Sequence, residues 1–315
     1  VSILYNSHPS FSQNLFTLYL FSAIRGFAAG FTGPVLMSIL VNNWFYKKSG
    51  LINSIAMAFS GLVGALFSPV LTNIILSSGW RMGTLANAAL LLVFNLPAIL
   101  LPVGYIPESA GLTPFGAEEA KAAGEDLNRP MPILPVLVAL LTIFAAMGPC
   151  ITAFPPHFPG VADSFGFSTA VGAAMLSVTM ITNSGGKLLF GILSEKLGSK
   201  RSILLYAVLS FVGVLLIMLF QQQFLLFAGA ALVGCVYSLG SVAIVLATRD
   251  LVGLVNYNKV YPKVYTVAIV ANAVSGSAIG FIYDGFGSYR PAMLLSLIFL
   301  GIMFVSLLLA YRIKA

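Results

Sequence analysis

Long apolar blocks recur along this chain from Asn14 onward, each of roughly 18–28 residues and separated by short polar joints. A stretch of ~20 apolar residues matches the ~30 Å hydrocarbon core of a bilayer. Composition agrees with that reading. The chain is 59% hydrophobic and only 8% charged, with a mean hydropathy of +0.98, whereas a soluble domain carries about 25% charged residues. Strands that cross a bilayer need about 10 residues of alternating polarity, and no such alternation is present. The pattern predicts an all-α, multi-pass membrane protein.

About nine spans are expected, near 14–41, 51–77, 83–106, 132–154, 166–193, 202–220, 224–247, 265–283 and 291–312, with Val1–Tyr5 as the stub of another. Threading them in order places Lys47, Lys48, Lys121, Arg129, Lys196, Lys200, Arg201, Arg249, Lys259, Lys263, Arg312 and Lys314 on one side. Arg81 and Arg290 fall on the other. Positive charge accumulates on the cytoplasmic face of membrane proteins, so the C-terminus is expected there, in a protein of the cell membrane. The net charge of +7 is then accounted for by anionic lipid, and no nucleic-acid partner is implied. Cys150 and Cys235 show neither metal-type spacing nor a disulfide framework. No cofactor and no metal site is expected.

One joint differs from the rest. Residues 107–131 are long, polar and rich in Pro and Gly, and they hold Glu108, Glu118, Glu119, Glu125 and Asp126, five of the nine acidic residues. Such a linker marks a domain boundary. The expected organisation is a helical part over 1–106, a cytoplasmic linker over 107–131 and a six-helix half over 132–315.

Two ionisable residues fall deep inside spans, Arg25 and Lys187. A lysine at depth costs ~2.5–3.5 kcal/mol on insertion scales unless it meets water, a partner or a ligand. Lys187 lies seven residues before Ser194, or ~10 Å along a helix, with Asn183 one turn earlier on the same face. The plainer reading of Lys187 is a side chain snorkelling towards the interface. Arg25 reads equally as a structural residue. Intramembrane catalysis would need paired carboxylates or a His cluster, and neither cation has an evident acid partner. The chain has no GxxxxGK[ST] loop, so no ATPase subunit is expected. No charged ring or repeated filter suggests a channel.

Four motifs resemble those of the major facilitator superfamily. They are Arg25-Gly26-x-x-x-Gly30-x-x-Gly33-Pro34; Asn43-Trp44-Phe45-Tyr46-Lys47-Lys48-Ser49-Gly50 with Gly79-Trp80-Arg81; Gly191-Ile192-Leu193-Ser194-Glu195-Lys196-Leu197-Gly198-Ser199-Lys200-Arg201; and Tyr283-Asp284-Gly285-Phe286-Gly287-Ser288-Tyr289. The second and fourth are similar to the oxalate/formate antiporter and monocarboxylate transporter branches. The resemblance implies a major facilitator fold whose spans here correspond to family helices 4–12. It also implies that the coding sequence continues upstream by about ninety residues, enough for the missing two and a half spans.

The resemblance further implies gradient-driven secondary transport of a small organic anion, by symport or antiport, with protons as the candidate coupling partner. In the resembled branches the position of Lys187 carries a cation that meets substrate carboxylate. Lysine offers a point charge where arginine would offer a fork. Thr266–Asn272 carries no second cation, which fits a monocarboxylate better than a dicarboxylate. Lys187, Asn183, Arg25, Tyr237 and Asn272 are the candidate substrate residues, although each polar one also reads as a helix-packing residue. Glu195, Lys196, Gly198, Lys200 and Arg201 are candidates for a conformational lock, with positive-inside topology as the plainer explanation. The alternatives left open are a carrier of another solute (sugar, amino acid or drug) and a fragment that does not transport.

Overall fold

The computed structural model describes residues 15–30, 33–100, 104–122 and 133–314. Among these the chain is helical, and one isolated bridge between Phe45 and Phe115 is the sole β-type pairing. In chain order the helices are α1 (Leu15–Gly30), α2 (Pro34–Trp44), α3 (Ser49–Leu100), α4 (Ala117–Ala122), α5 (Pro135–Thr152), α6 (Phe158–Ser164), α7 (Thr169–Leu197), α8 (Ser199–Leu219), α9 (Gln223–Val233), α10 (Val236–Leu239), α11 (Val242–Phe286) and α12 (Arg290–Lys314). The stub Val1–Tyr5 lies outside the described residues. Among the described residues, four segments are long and apolar enough to cross a membrane by length and composition: Pro135–Ser164, Ser199–Leu219, Val242–Phe286 and Arg290–Lys314.

Large apolar side chains are exposed as well as buried, and polar ones are buried among them. Phe224 is 80% exposed, Phe281 74% and Ile181 72%, while Asn53, Ser54 and Ser202 are wholly buried. Monomeric soluble domains rarely expose apolar surface on this scale. A hydrocarbon solvent removes the penalty for that exposure, and small or polar residues join large buried ones such as Phe144, Phe158 and Phe190 in helix contact. Such contacts are backbone-close. A methyl placed on Gly213 would lie 2.7 Å from Val233 N and 2.8 Å from Gly229 O, at the α8–α9 crossing.

Two long helices each contain one sharp break at a glycine. Gly79 in α3 has φ 84°, ψ 164°, and Gly253 in α11 has φ 76°, ψ 167°. These backbone conformations are open to glycine and strained for other residues. At Gly79 the break coincides with the expected joint. At Gly253 the structure corrects the sequence reading. Residues 248–264, expected as a polar loop carrying Arg249, Lys259 and Lys263, are helical apart from Gly253. The reason is a helical stripe that the charges obscured. Asn256, Tyr257, Val260, Tyr261 and Val264 are buried, and the Tyr257 and Tyr261 rings stack at 4.9 Å and 12°.

The span expected over 224–247 is likewise divided. It consists of α9, α10 and the start of α11, with interruptions at Gly234–Cys235 and Gly240–Ser241.

The chain forms two compact units. One comprises the described residues through Tyr46 together with Leu62–Glu118. The other comprises Lys47–Gly61 with the described residues from Glu119 onward. In the first unit, Gly104 and Tyr105, at the end of the span expected over 83–106, and Phe115, in the expected linker, are held on the end of α2. Trp44 Nε1 donates to Gly104 O at 2.9 Å, Asn43 Nδ2 to Tyr105 O at 3.1 Å and Phe115 N to Trp44 O at 2.8 Å. In the second unit the opening turns of α3 pack on α7. A methyl on Gly191 would sit 2.6 Å from Ser54 Cβ, and one on Gly61 would sit 1.9 Å from Ser184 Oγ. The same unit contains α5 packed on α11 and α12, and α7 against α9.

Candidate functional site

The site is organised around α7. Its buried stripe runs through Met175, Thr179, Asn183, Lys187, Gly191 and Ser194, a polar-and-small face that would not form a lipid surface. Neighbouring helices meet this face through hydrogen bonds. Thr179 Oγ1 donates to Ala230 O at 2.9 Å, and Tyr206 Oη donates to Gly186 O at 2.7 Å. The Tyr206 ring also meets Phe190 edge-on at 4.9 Å, which holds the turn that carries Lys187.

Lys187 is 7% exposed. Its Nζ donates to Met57 O in α3 at 3.5 Å, a long contact for a group with three donors. Among the described residues no carboxylate pairs with it. A buried ammonium is ordinarily paired, so this one retains most of its demand for an anion.

Lys187 lines a cavity of about 410 Å³ together with Tyr237, Asn272, Thr152, Ser241 and Tyr265. The sequence explains how the cavity forms. Gly148 and Gly240 allow α5 and the α10–α11 break to touch backbone to backbone, since a methyl on Gly148 would lie 2.9 Å from Gly240 Cα. Near its end α5 turns at Ala153, whose N–H goes to Ile151 O. Pro149 O is then available, as carbonyls at helix ends are. Asn272 Nδ2 reaches it at 3.3 Å and Thr152 Oγ1 at 2.9 Å; Asn272 Nδ2 also donates to Thr152 Oγ1 at 3.2 Å. Tyr237 Oη donates to Thr152 O at 3.4 Å, and Ser241 Oγ donates to Tyr237 O at 2.6 Å. Broken helix backbone at membrane depth is tolerated where it lines a cavity or is buried in protein, and Gly240 and Ser241 do line this one.

Of the five expected substrate residues, Lys187, Tyr237 and Asn272 therefore share one cavity. Asn183 is buried one turn away and is not part of the lining; its Oδ1 has no partner among the described residues. Arg25 lies on α1, and its side chain is outside the described set. Thr152, Ser241 and Tyr265 were not singled out from sequence. Tyr265 had a legible signal, the i, i+4, i+8 series Tyr257, Tyr261, Tyr265.

Gly198, with φ 83°, makes the turn between α7 and α8. Among the described residues none of Lys196, Lys200 and Arg201 pairs with Glu195. Instead, the Glu195 carboxylate and Ser194 Oγ border Gly50 in the first turn of α3: a methyl there would lie 3.4 Å and 3.2 Å from them. Carboxylates are favoured at helix N-termini. Lys200 Nζ lies 5.4 Å from the centre of the Tyr311 ring.

These features describe a membrane-embedded helical bundle with a solute-sized cavity between broken helices, the architecture of a transporter rather than an enzyme. The chain belongs to the major facilitator superfamily, whose family model matches residues 140–314. Two solved structures share the fold. One is a point variant of the E. coli fucose:proton symporter FucP, with TM-score 0.67 at 16% identity over 99% of this chain and 80% of that one. The other is FucP in the outward conformation, with TM-score 0.68 at 16% identity over 100% of this chain and 81% of that one. No curated protein matches the chain. The protein is thus an integral, multi-pass membrane transporter that acts on a small molecule in the lipid bilayer.

Proposed function

We propose that this carrier moves a small organic anion, a monocarboxylate, by gradient-driven alternating access, with Lys187 as the group that meets the carboxylate. The observation that carries the proposal is a buried lysine on a cavity wall with one long contact to a carbonyl and no acid among the described residues. An ammonium desolvated in this way is costly until an anion arrives. Lys187 also touches α3 through Met57 O. An anion that draws the ammonium into the cavity weakens the hold of α7 on the opening turns of α3, which links binding to movement. Glu195 at the start of α3 and the Gly198 turn form the second part of that hold. The setting is the cell membrane with the C-terminus cytoplasmic, the linker over 107–131 joins two helical halves, and protons are the coupling ion.

A neutral sugar is the second reading. The hydroxyl and amide groups of Thr152, Tyr237, Ser241 and Asn272 in the lining favour it. Counterflow in liposomes with labelled lactate, pyruvate, formate and oxalate against sugars and amino acids separates the two. Saturable carboxylate flux is expected. Sugar flux with no carboxylate flux at any pH gradient would overturn the anion assignment.

A further inference from the structure

We infer that the segment from Gly104 to Phe115 is a membrane-interface element, seated at the boundary between lipid headgroups and acyl chains whatever solute the carrier moves. In sequence, 107–131 reads as a polar joint, but the surface of its opening part is not polar. Tyr105, Ile106, Leu112 and Phe115 are each between 43% and 55% exposed. Large apolar side chains gathered on one exposed segment mark contact with a protein or a membrane. The main chain shows which. A surface loop can leave its carbonyls to water, whereas at membrane depth they need partners within the protein. Here every carbonyl from Gly104 to Glu108 is taken. Gly104 O accepts from Trp44 Nε1 at 2.9 Å and Tyr105 O from Asn43 Nδ2 at 3.1 Å. Ile106 O accepts from Ser109 N at 3.3 Å, Pro107 O from Leu112 N at 3.1 Å and Glu108 O from Gly111 N at 3.1 Å. Pro114 O and Phe115 O are taken by Ala117 N at 3.0 Å and Tyr46 N at 2.9 Å. Gly111, with φ 69°, supplies the left-handed turn that brings Leu112 N back to Pro107 O. A segment closed in this way can leave bulk water at little cost to its main chain.

Its position agrees. The apolar helix α3 ends at Leu100, itself 69% exposed, and the four residues from there to Gly104 reach at most ~14 Å. Gly104 is then bonded to Trp44, the last residue of α2, and tryptophan concentrates at headgroup level. The apolar face of an interfacial element sinks ~5–10 Å into that layer, while the exposed Glu108, Ser109, Thr113 and Glu118 can keep their contact with water. Charge then selects the lipid. Residues 104–122 carry Glu108, Glu118 and Glu119 against Lys121 alone, so anionic headgroups are not the attraction. The partner is the apolar boundary of the bilayer, and zwitterionic lipid suffices.

Nitroxide scanning of the full-length carrier in phosphatidylcholine liposomes tests this. Labels go singly on Ile106→Cys, Leu112→Cys and Phe115→Cys, with Ser109→Cys and Thr113→Cys as polar controls, in a Cys150→Ser, Cys235→Ala background. At the three apolar positions, collision with oxygen, which partitions into lipid, should exceed collision with a water-soluble nickel chelate several-fold. The order should reverse at the two controls, and adding phosphatidylglycerol should change neither. A second measurement needs no substitution: a phosphatidylcholine with a diazirine near the glycerol end of its acyl chain should cross-link to the peptide containing Tyr105–Phe115. Nickel collisions dominating at every position would place the segment in water and overturn the inference. Low collision with both reagents at the apolar positions would mean that protein covers them, which also overturns it. So would oxygen access that appears only with anionic lipid, or cross-linking of the spans without this peptide.

Discussion

Lys187 and Lys47 pose opposite cases. Lys47, in the joint between α2 and α3, makes the better contact: its Nζ lies 2.7 Å from Glu119 Oε2, with side chains 46% and 73% exposed. Lys187 makes the poorer one, 3.5 Å to a backbone carbonyl, yet it is almost fully buried. Good geometry in water is worth little because solvent screens both charges and competes for them. Poor geometry without solvent is consequential, since the missing partner is not replaced by water. Functional weight therefore follows desolvation rather than distance, and the exposed pair is a local brace for the joint.

The sharpest way to break this comparison is to remove the buried charge. Lys187→Gln should reduce anion counterflow on the order of a hundredfold, the worth of a hydrogen-bonded charge, while elution and melting profiles stay native. Lys187→Arg should retain part of the flux. Native-rate flux in the Gln variant would show that the buried lysine is no more functional than the exposed one.

A smaller effect is expected from the packing that brings α3 to Lys187. Gly191→Leu would drive side-chain atoms into Ser54, whereas Gly185, on the same helix, has nothing within 4 Å of its methyl position. Overpacking costs ~1–3 kcal/mol, so Gly191→Leu should lower the melting temperature and the flux together, and Gly185→Leu should alter neither comparably. Equal responses would mean that the α3–α7 contact does not support the site.

Smaller again is Asn272→Leu. It removes the donor to Pro149 O and Thr152 Oγ1 and should cost about 0.5–1.5 kcal/mol, read as a several-fold loss of apparent affinity with maximal flux less affected. An unchanged affinity would make Asn272 a packing residue alone.

The smallest change is expected at the exposed pair. The hydrogen bond from Lys47, together with its charge, holds the Glu119 carboxyl below its usual 4.5. A depressed acid contributes above its unfolded value, and that contribution disappears as pH falls through the folded one. Glu119→Gln should therefore leave flux near native at neutral pH and remove whatever part of the joint's acid sensitivity lies below pH 4.5. A large loss of transport at pH 7 would overturn the contrast between the two lysines.

The sequence carried much of the architecture because hydrophobic length is a direct readout of bilayer thickness. Long apolar blocks, Gly79 and Gly198 at joints, and Lys187 as an anomaly at depth were all visible in it. The helical stretch after Gly253 was not, because Arg249, Lys259 and Lys263 masked the apolar stripe beneath them. The ordered segment after Gly104 was missed for the converse reason. It meets Asn43 and Trp44 through its own main-chain groups, the Gly104 and Tyr105 carbonyls and the Phe115 N–H, which leave no mark in composition.

By itself the sequence determined that this protein is a helical bundle in a membrane and that one lysine sits where a lysine is expensive. Both follow from transfer free energies that depend on residue type alone. Only the tertiary structure decided which of the polar candidates share a cavity with Lys187. Tyr237 and Asn272 reach it because Gly148 and Gly240 allow two backbones to touch and Pro149 O is left for a side chain to claim. Asn183, one turn from the same lysine, is excluded from it. That selection depends on the position of other helices, which no local pattern along α7 encodes.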